Sequence, residues 1–228
     1  MRKDYVHITL VCDESGSMFS SRDEVTSGVK KIIDEQKSNK EGKVTISLYK
    51  FNDEVKEEFV GKDVNDEIDF VYDPNSMTAM NDGIGTAIDK TGKWLADMNE
   101  DDRPSKVMVF VFTDGLENCS KDYKLEQVKE MIKHQEEKYN WSFVYMGTDI
   151  TTAKAADSLG FSTKTFSSRK NLFKNYDIVN TALNCYRRCV ASVDTSITSA
   201  SETLASLLNE ETSKNTTEYE AEIGQKIV

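Results

Sequence analysis

Tyr5-Val6-His7-Ile8-Thr9-Leu10-Val11-Cys12 runs directly into Asp13-Glu14-Ser15-Gly16-Ser17. The first stretch is apolar enough to read as a buried strand. The second is D-x-S-x-S, which delivers a carboxylate and two hydroxyls together at the strand's carboxyl end. Two later stretches complete the pattern. Thr78 lies in Met77-Thr78-Ala79-Met80-Asn81-Asp82-Gly83-Ile84-Gly85, just ahead of a helical pattern. Asp114 closes the strand-like Lys106-Val107-Met108-Val109-Phe110-Val111-Phe112-Thr113 and is followed by Gly115. Asp13, Ser15, Ser17, Thr78 and Asp114 are oxygen donors only, the donor set that a hard divalent cation takes. In a parallel α/β sheet, sites form beyond strand carboxyl ends where the strand order reverses. Asp13 and Asp114 therefore predict neighbouring strands with the metal between them.

Outward from these loops, strand and helix patterns alternate, the signature of a parallel sheet covered on both faces. Ser21-Arg22-Asp23-Glu24 has the S-x-x-E form of a capping box and opens a helix through about residue 37. Lys43–Phe51 is a strand, and Asn52-Asp53 turns into Val55–Val60, a polar and antiparallel edge strand. A helix is expected over about 81–98, a charged amphipathic helix over 125–139, and a buried strand over 141–146. A short helix near 153–159 leads to a last strand around 161–166, and Pro74 and Pro104 are placed in loops. The expected fold is α/β and doubly wound: a mostly parallel six-stranded sheet, one antiparallel edge strand, helices on both faces, and a long C-terminal helix.

That last helix comes from the spacing of Tyr176, Val179, Leu183, Tyr186, Val190, Val193, Ile197, Ala200, Leu204 and Leu207. Three- and four-residue steps alternate, the 3.5 period of helix-on-helix packing. Its first half reads as a last core helix. The second half is Ser- and Thr-rich and is expected to need cover from a second copy of the chain, as a homodimer, or from a fold-back near Ser199. Residues 1–190 thus read as the domain, 191–208 as a helical extension, and 209–228 as a polar tail expected to be disordered.

Composition narrows the function classes. The 228 residues carry 29 Lys and Arg against 40 Asp and Glu, a net charge of −11, with no basic stripe. Such a chain is a poor binder of phosphate backbones, so no nucleic-acid partner is expected. No run is long enough to span a bilayer and no signal-peptide core follows Met1, so no membrane partner is expected either. The four cysteines Cys12, Cys119, Cys185 and Cys189 form no disulfide framework. A cytoplasmic location follows as the expectation, the host cytoplasm if the chain is phage-encoded. His7 sits inside the first strand and reads as a satisfied core histidine, and His134 as a solvated one. Glu14, Asp82, Glu117 and Asp149 are expected to rim the metal face, mostly solvated.

Asp13-x-Ser15-x-Ser17, Thr78 and Asp114-Gly115 resemble the metal-ion-dependent adhesion site of von Willebrand factor A domains. The similarity covers roughly residues 5 to 190. Thr78–Gly85 and Phe112–Asn118 look like the small stand-alone A-domain proteins of bacteria and bacteriophages. That group often carries glycine two residues ahead of the threonine, where this chain has Ser76. The resemblance implies that Ser15 and Ser17 bind Mg²⁺ through their hydroxyls, with Mn²⁺ or Ca²⁺ as alternatives. Thr78 would bind directly or through water, and Asp13 and Asp114 largely through bridging waters. It also implies an open position filled by a Glu or Asp from a partner protein.

Three functions compete. The first is a metal-dependent protein-binding module. The second is an assembly protein that oligomerises through its C-terminal helix. The third is a Mg²⁺-dependent hydrolase, which the sequence disfavours. Both histidines lie outside the motif, no Lys or Arg falls inside the three loops to neutralise a phosphoryl group, and Asp13-Glu14-Ser15 is not D-x-D. No enzymatic activity is expected.

Overall fold

The computed structural model describes residues 1–148, 150–166 and 172–191, together with Ser206, Glu210 and Ser213. Its strands are β1 (Arg2–Asp13), β2 (Lys43–Phe51), β3 (Val55–Asp63), β4 (Pro104–Phe112), β5 (Ser142–Gly147) and β6 (Thr163–Phe166). They form one sheet in the order β3-β2-β1-β4-β5-β6. Every pairing is parallel except β2 with β3. The chain winds outward from β1 in one direction, returns to β4 on its other side, and winds outward again. The reversal therefore falls between β1 and β4, whose register ends at Cys12 opposite Phe112.

Among the described residues, five α-helices cover the sheet: α1 (Arg22–Ser38), α2 (Met80–Ala96), α3 (Leu125–Tyr139), α4 (Ile150–Leu159) and α5 (Leu172–Ala191). Side-chain alternation along the central strands builds two cores. Val6, Ile8, Leu10, Met108, Phe110 and Phe112 join Val29 and Ile32 of α1 and Val179 and Leu183 of α5. Val11, Val107, Val109 and Val111 join Ile84 and Ile88 of α2, Val128 and Ile132 of α3, and Leu159 of α4. Strands buried on both faces need apolar residues at both parities, which is why β1 and β4 read as continuous apolar runs. β3 lies at an edge and is only half-buried, so it can be polar.

The first half of the C-terminal seam is core: Tyr176, Val179, Leu183 and Tyr186 are buried. The Tyr176 ring stacks on Phe112 with centroids 5.0 Å apart. It lies against Gly28 of α1, where a Cβ would fall 2.3 Å from the ring, so the helix–helix approach requires glycine there. Val193, Ile197, Leu204 and Leu207, and all of the extension beyond residue 191 and of the tail from 209 except Ser206, Glu210 and Ser213, lie outside the described residues.

Two local expectations are corrected. Ser21 makes no capping bond through its side chain, and its buried hydroxyl has no partner among the described residues. A 3₁₀ turn over Gly16–Ser21 runs straight into α1, so Ser21 sits inside a continuous helical path rather than at its mouth. Pro104 is not in a loop but is the first residue of β4, a position where a strand tolerates a missing N–H.

Candidate metal centre

Asp13, the last residue of β1, is fully buried. Its Oδ1 accepts the Ser15 N–H at 2.8 Å and its Oδ2 accepts the Thr113 hydroxyl at 2.6 Å. The Ser15 and Ser17 hydroxyl oxygens lie 3.1 Å apart, and Ser17 donates to Asp114 Oδ1 at 2.6 Å. Thr78 enters from the loop before α2. A Cβ placed on Gly115 would lie 3.2 Å from both Thr78 Oγ1 and Asp13 Oδ2. Glycine thus keeps the space between the first, second and third loops clear of side chain. All five donors stand at the carboxyl end of the sheet, where β1 and β4 are neighbours.

Main-chain and side-chain bonds hold the three loops to one another. Gly16 N–H donates to Ser76 O at 3.0 Å and Asn75 N–H to Glu14 O at 2.8 Å, joining the first loop to the second. Asn118 joins the second to the third: its Oδ1 accepts Thr78 N–H at 2.9 Å, and its own N–H donates to Thr78 O at 3.0 Å. The Tyr72 hydroxyl donates to the Asp13 carbonyl. Lys50, buried in β2, pairs with Glu14 and Glu58 at 3.0 Å each and donates to Val71 O at 2.8 Å. Glu14 Oε1 also accepts Asp73 N–H at 2.8 Å.

Tyr72 and Lys50 carry no motif signal. Asn118 stands in the quoted Phe112–Asn118 segment, and its amide beside a ligand-bearing loop was the available hint.

Three carboxylates expected at a solvated rim are instead structural. Asp82 accepts the N–H groups of Lys121 at 2.7 Å, Asp122 at 3.0 Å and Tyr123 at 2.7 Å. Glu117 accepts N–H groups from Asn81, Cys119 and Ser120, fastening the third loop across the start of α2. Glu14 is held by Lys50. A carboxylate that takes several N–H bonds is committed to the loop it ties. Asp149 lies outside the described residues.

The donor chemistry fits a hard divalent cation. Among the described residues, no group of three or more His, Cys, Asp or Glu side chains gathers as a soft or carboxylate-rich site would. Hydroxyls supply three of the five donors here, with Asp13 and Asp114 as the anions. Burial, more than the hydrogen bonds from Ser15 and Thr113 can offset, pushes the Asp13 carboxyl up to about 6, and the neighbouring charge of Asp114 adds to the shift. Two carboxylates in a desolvated corner are the electrostatic setting in which a cation is welcome.

A model of the von Willebrand factor type A domain matches residues 7–177. The chain belongs to this family. No curated protein matches it. Among solved structures, this von Willebrand factor type A domain is similar to the vWF domain of the type V pili tip protein Mfa5 from Porphyromonas gingivalis. The TM-score is 0.58 at 10% identity, covering 81% of this chain and 96% of that one. It is similar to proximal thread matrix protein 1 from the mussel byssus, with a zinc-occupied MIDAS motif, at TM-score 0.53 and 19% identity, covering 78% of this chain and 46% of that one. It is also similar to the manganese-loaded TRAP protein of Plasmodium vivax, at TM-score 0.50 and 17% identity, covering 77% and 74%. The chain thus spans less than half the length of the byssus protein, and these likenesses establish the shared fold.

Proposed function

We propose that the chain is a metal-dependent protein-binding module. Asp13, Ser15, Ser17, Thr78 and Asp114 would hold a divalent cation, Mg²⁺ being the ion that suits hydroxyl and water ligands best. When bound, the cation supplies an electrophilic point for a carboxylate oxygen from a partner protein. The chain's own residues do the rest. Ser15, Ser17 and Thr78 offer neutral oxygens, so the cation's charge is left for the incoming Glu or Asp. Asp114 orients the Ser17 hydroxyl through the bond it accepts, and Asp13 holds the backbone at Ser15 and the Thr113 hydroxyl.

The observation that carries this reading is the single hydrogen-bonded chain from Thr113 through Asp13, Ser15 and Ser17 to Asp114, built from two neighbouring strand ends. The metal-loaded relatives, byssus with zinc and TRAP with manganese, support it by fold. Among the described residues, no histidine, lysine or arginine lies within the 13–17, 76–79 and 113–118 segments that carry the donors, which favours binding over turnover.

The test is capture of partners from the native host with the full chain in Mg²⁺ and in EDTA, beside Ser15→Ala and Asp114→Ala. Partners retained in Mg²⁺, released by EDTA and lost in both variants support the module. Ser15→Ala should lower stability by only about 1 kcal/mol, an ordinary point-mutant cost. Partners held equally in EDTA would overturn the reading. Turnover of a phosphoester that Asp114→Ala abolishes would replace it with the hydrolase.

A further inference from the structure

Seven large apolar side chains are exposed among the described residues, and three of them stand within two positions of a metal donor. Phe19, two residues after Ser17, is 66% exposed. Met77, next to Thr78, is 53% exposed, and Leu116, two residues after Asp114, is 51% exposed. One comes from each loop. Scattered apolar residues on a surface need no explanation, but three that each flank a donor of one polar centre do. Nor are they loose ends of the core. The 3₁₀ turn anchors itself inward through Met18, which is buried, while the adjacent Phe19 points out. Thr78 and Asp114, the donors beside Met77 and Leu116, are buried too.

We propose that Phe19, Met77 and Leu116 form an apolar collar around the cation, and that the partner presents a carboxylate flanked by apolar side chains. This rests on the reading of the site as a metal–carboxylate junction. The collar performs two tasks. It covers apolar neighbours of the partner's Glu or Asp, and it shuts water away from the metal–carboxylate contact, which strengthens an electrostatic bond. The net charge of −11 adds a second constraint: outside its one carboxylate, the partner segment is neutral or basic. A hydrophilic acidic tail satisfies neither condition. It would meet apolar surface where it needs water and negative charge where it needs positive.

Three short synthetic peptides test this, each built on a Gly-, Ser- and Lys-containing background. One centres on Leu-Glu-Leu, one on Ser-Glu-Ser and one on Leu-Gln-Leu. Their binding to the full chain is followed by NMR titration in Mg²⁺ and in EDTA. The Leu-Glu-Leu peptide should bind about tenfold more tightly than Ser-Glu-Ser, and EDTA should abolish binding of both. The Leu-Gln-Leu peptide should not bind. A combined Phe19→Ser, Met77→Ser and Leu116→Ser variant should erase the Leu preference. Its Mn²⁺ affinity and thermal midpoint, measured in parallel, establish that its site and fold are intact. Equal metal-dependent affinity for Leu-Glu-Leu and Ser-Glu-Ser, or a preference that survives in the triple variant, overturns the collar and leaves the metal site standing. Absence of EDTA-sensitive binding by either Glu peptide overturns the junction itself.

Discussion

Ser76 holds a backbone conformation with φ 67°, one of two described non-glycine residues at positive φ. The related small A-domain proteins often place glycine here, and the reason is visible. The carbonyl of Ser76 accepts the Gly16 N–H and so fixes the first two loops together, which requires a left-handed turn. Its side chain gives something back at Asp53, whose carboxyl is lowered chiefly by the nearby Ser76 hydroxyl. Relief of the left-handed strain outweighs the added freedom of glycine in the unfolded chain, so Ser76→Gly should stabilise by about 0.5–1 kcal/mol. That corresponds to a rise of roughly 1–4 °C in thermal midpoint for a chain of this size; a lowered midpoint would show that the interaction with Asp53 matters more than the strain. Single residues also mark the limit of what the sequence discloses. The positions of Asp13, Ser15, Ser17, Thr78 and Asp114 were legible because residue type and strand-end placement coincide. The roles of Asp82 and Glu117 were not. Each takes N–H groups from the loop after β4, and Asp82 reaches across some forty positions of chain to do so. No local pattern encodes such a tie. Lys50 was hidden similarly, as a charge inside a buried strand whose partners come from Glu14 and Glu58.

At the scale of elements, β1 carries a titratable group into the core. His7 is fully buried between Thr45 Oγ1, 2.8 Å from Nδ1, and Ser47 Oγ, 3.1 Å from Nε2, with Trp94 packed at 4.7 Å between ring centroids. Burial lowers its pKa to about 3. Between that value and the unfolded imidazole's ~6.5, the unfolded chain binds a proton that the folded chain refuses. Stability therefore falls as pH drops through this window, by about 1.4 kcal/mol per unit from this group. Urea unfolding from pH 7 to 4.5 should show a shallower acid loss for His7→Gln than for the wild type, since the difference cancels every group the two share. Parallel slopes would mean that His7 titrates normally in the fold. The strand itself was easy to read because both faces of β1 are buried and its apolar run is unbroken. Element ends were harder. The S-x-x-E pattern at Ser21 predicted a cap, but the 3₁₀ turn already occupies the approach to α1. Pro104 suggested a loop, yet it opens β4 where no ladder N–H is needed.

For the whole molecule, the question is what the heptad seam does after α5. As far as Tyr186 the seam is domain core, and Arg187 closes it by donating to the Gln36 and Asn39 carbonyls at the end of α1, at 3.2 and 2.8 Å. Val193, Ile197, Leu204 and Leu207 continue the same spacing in sequence. A single helix over 176–208 would reach about 50 Å, against a radius of gyration of roughly 16 Å for a domain of this size. Its distal apolar positions would need a partner. Sedimentation of the full chain and of a truncation after Val190 should show a dimer that becomes a monomer on truncation; equal monomer masses would rule the dimer out and favour fold-back. That the strands ending at Asp13 and Asp114 are neighbours, and the end of the sheet on which the donors meet, were readable from alternation and strand ends; the full strand order was not. The path of the last residues was not, because a seam states that it must be covered and does not state by what.

The stitching of the three loops has a consequence for how such a module changes over time. Gly16 to Ser76, Thr78 to Asn118 and Glu14 to Asn75 are joined through main-chain groups, so the scaffold of the site does not depend on what Phe19, Met77 or Leu116 happen to be. Those three positions can vary as a set without disturbing the donors beneath them. If the centre takes a partner's carboxylate as proposed, one chassis is readdressed to a new target by exchanging three side chains over a common socket.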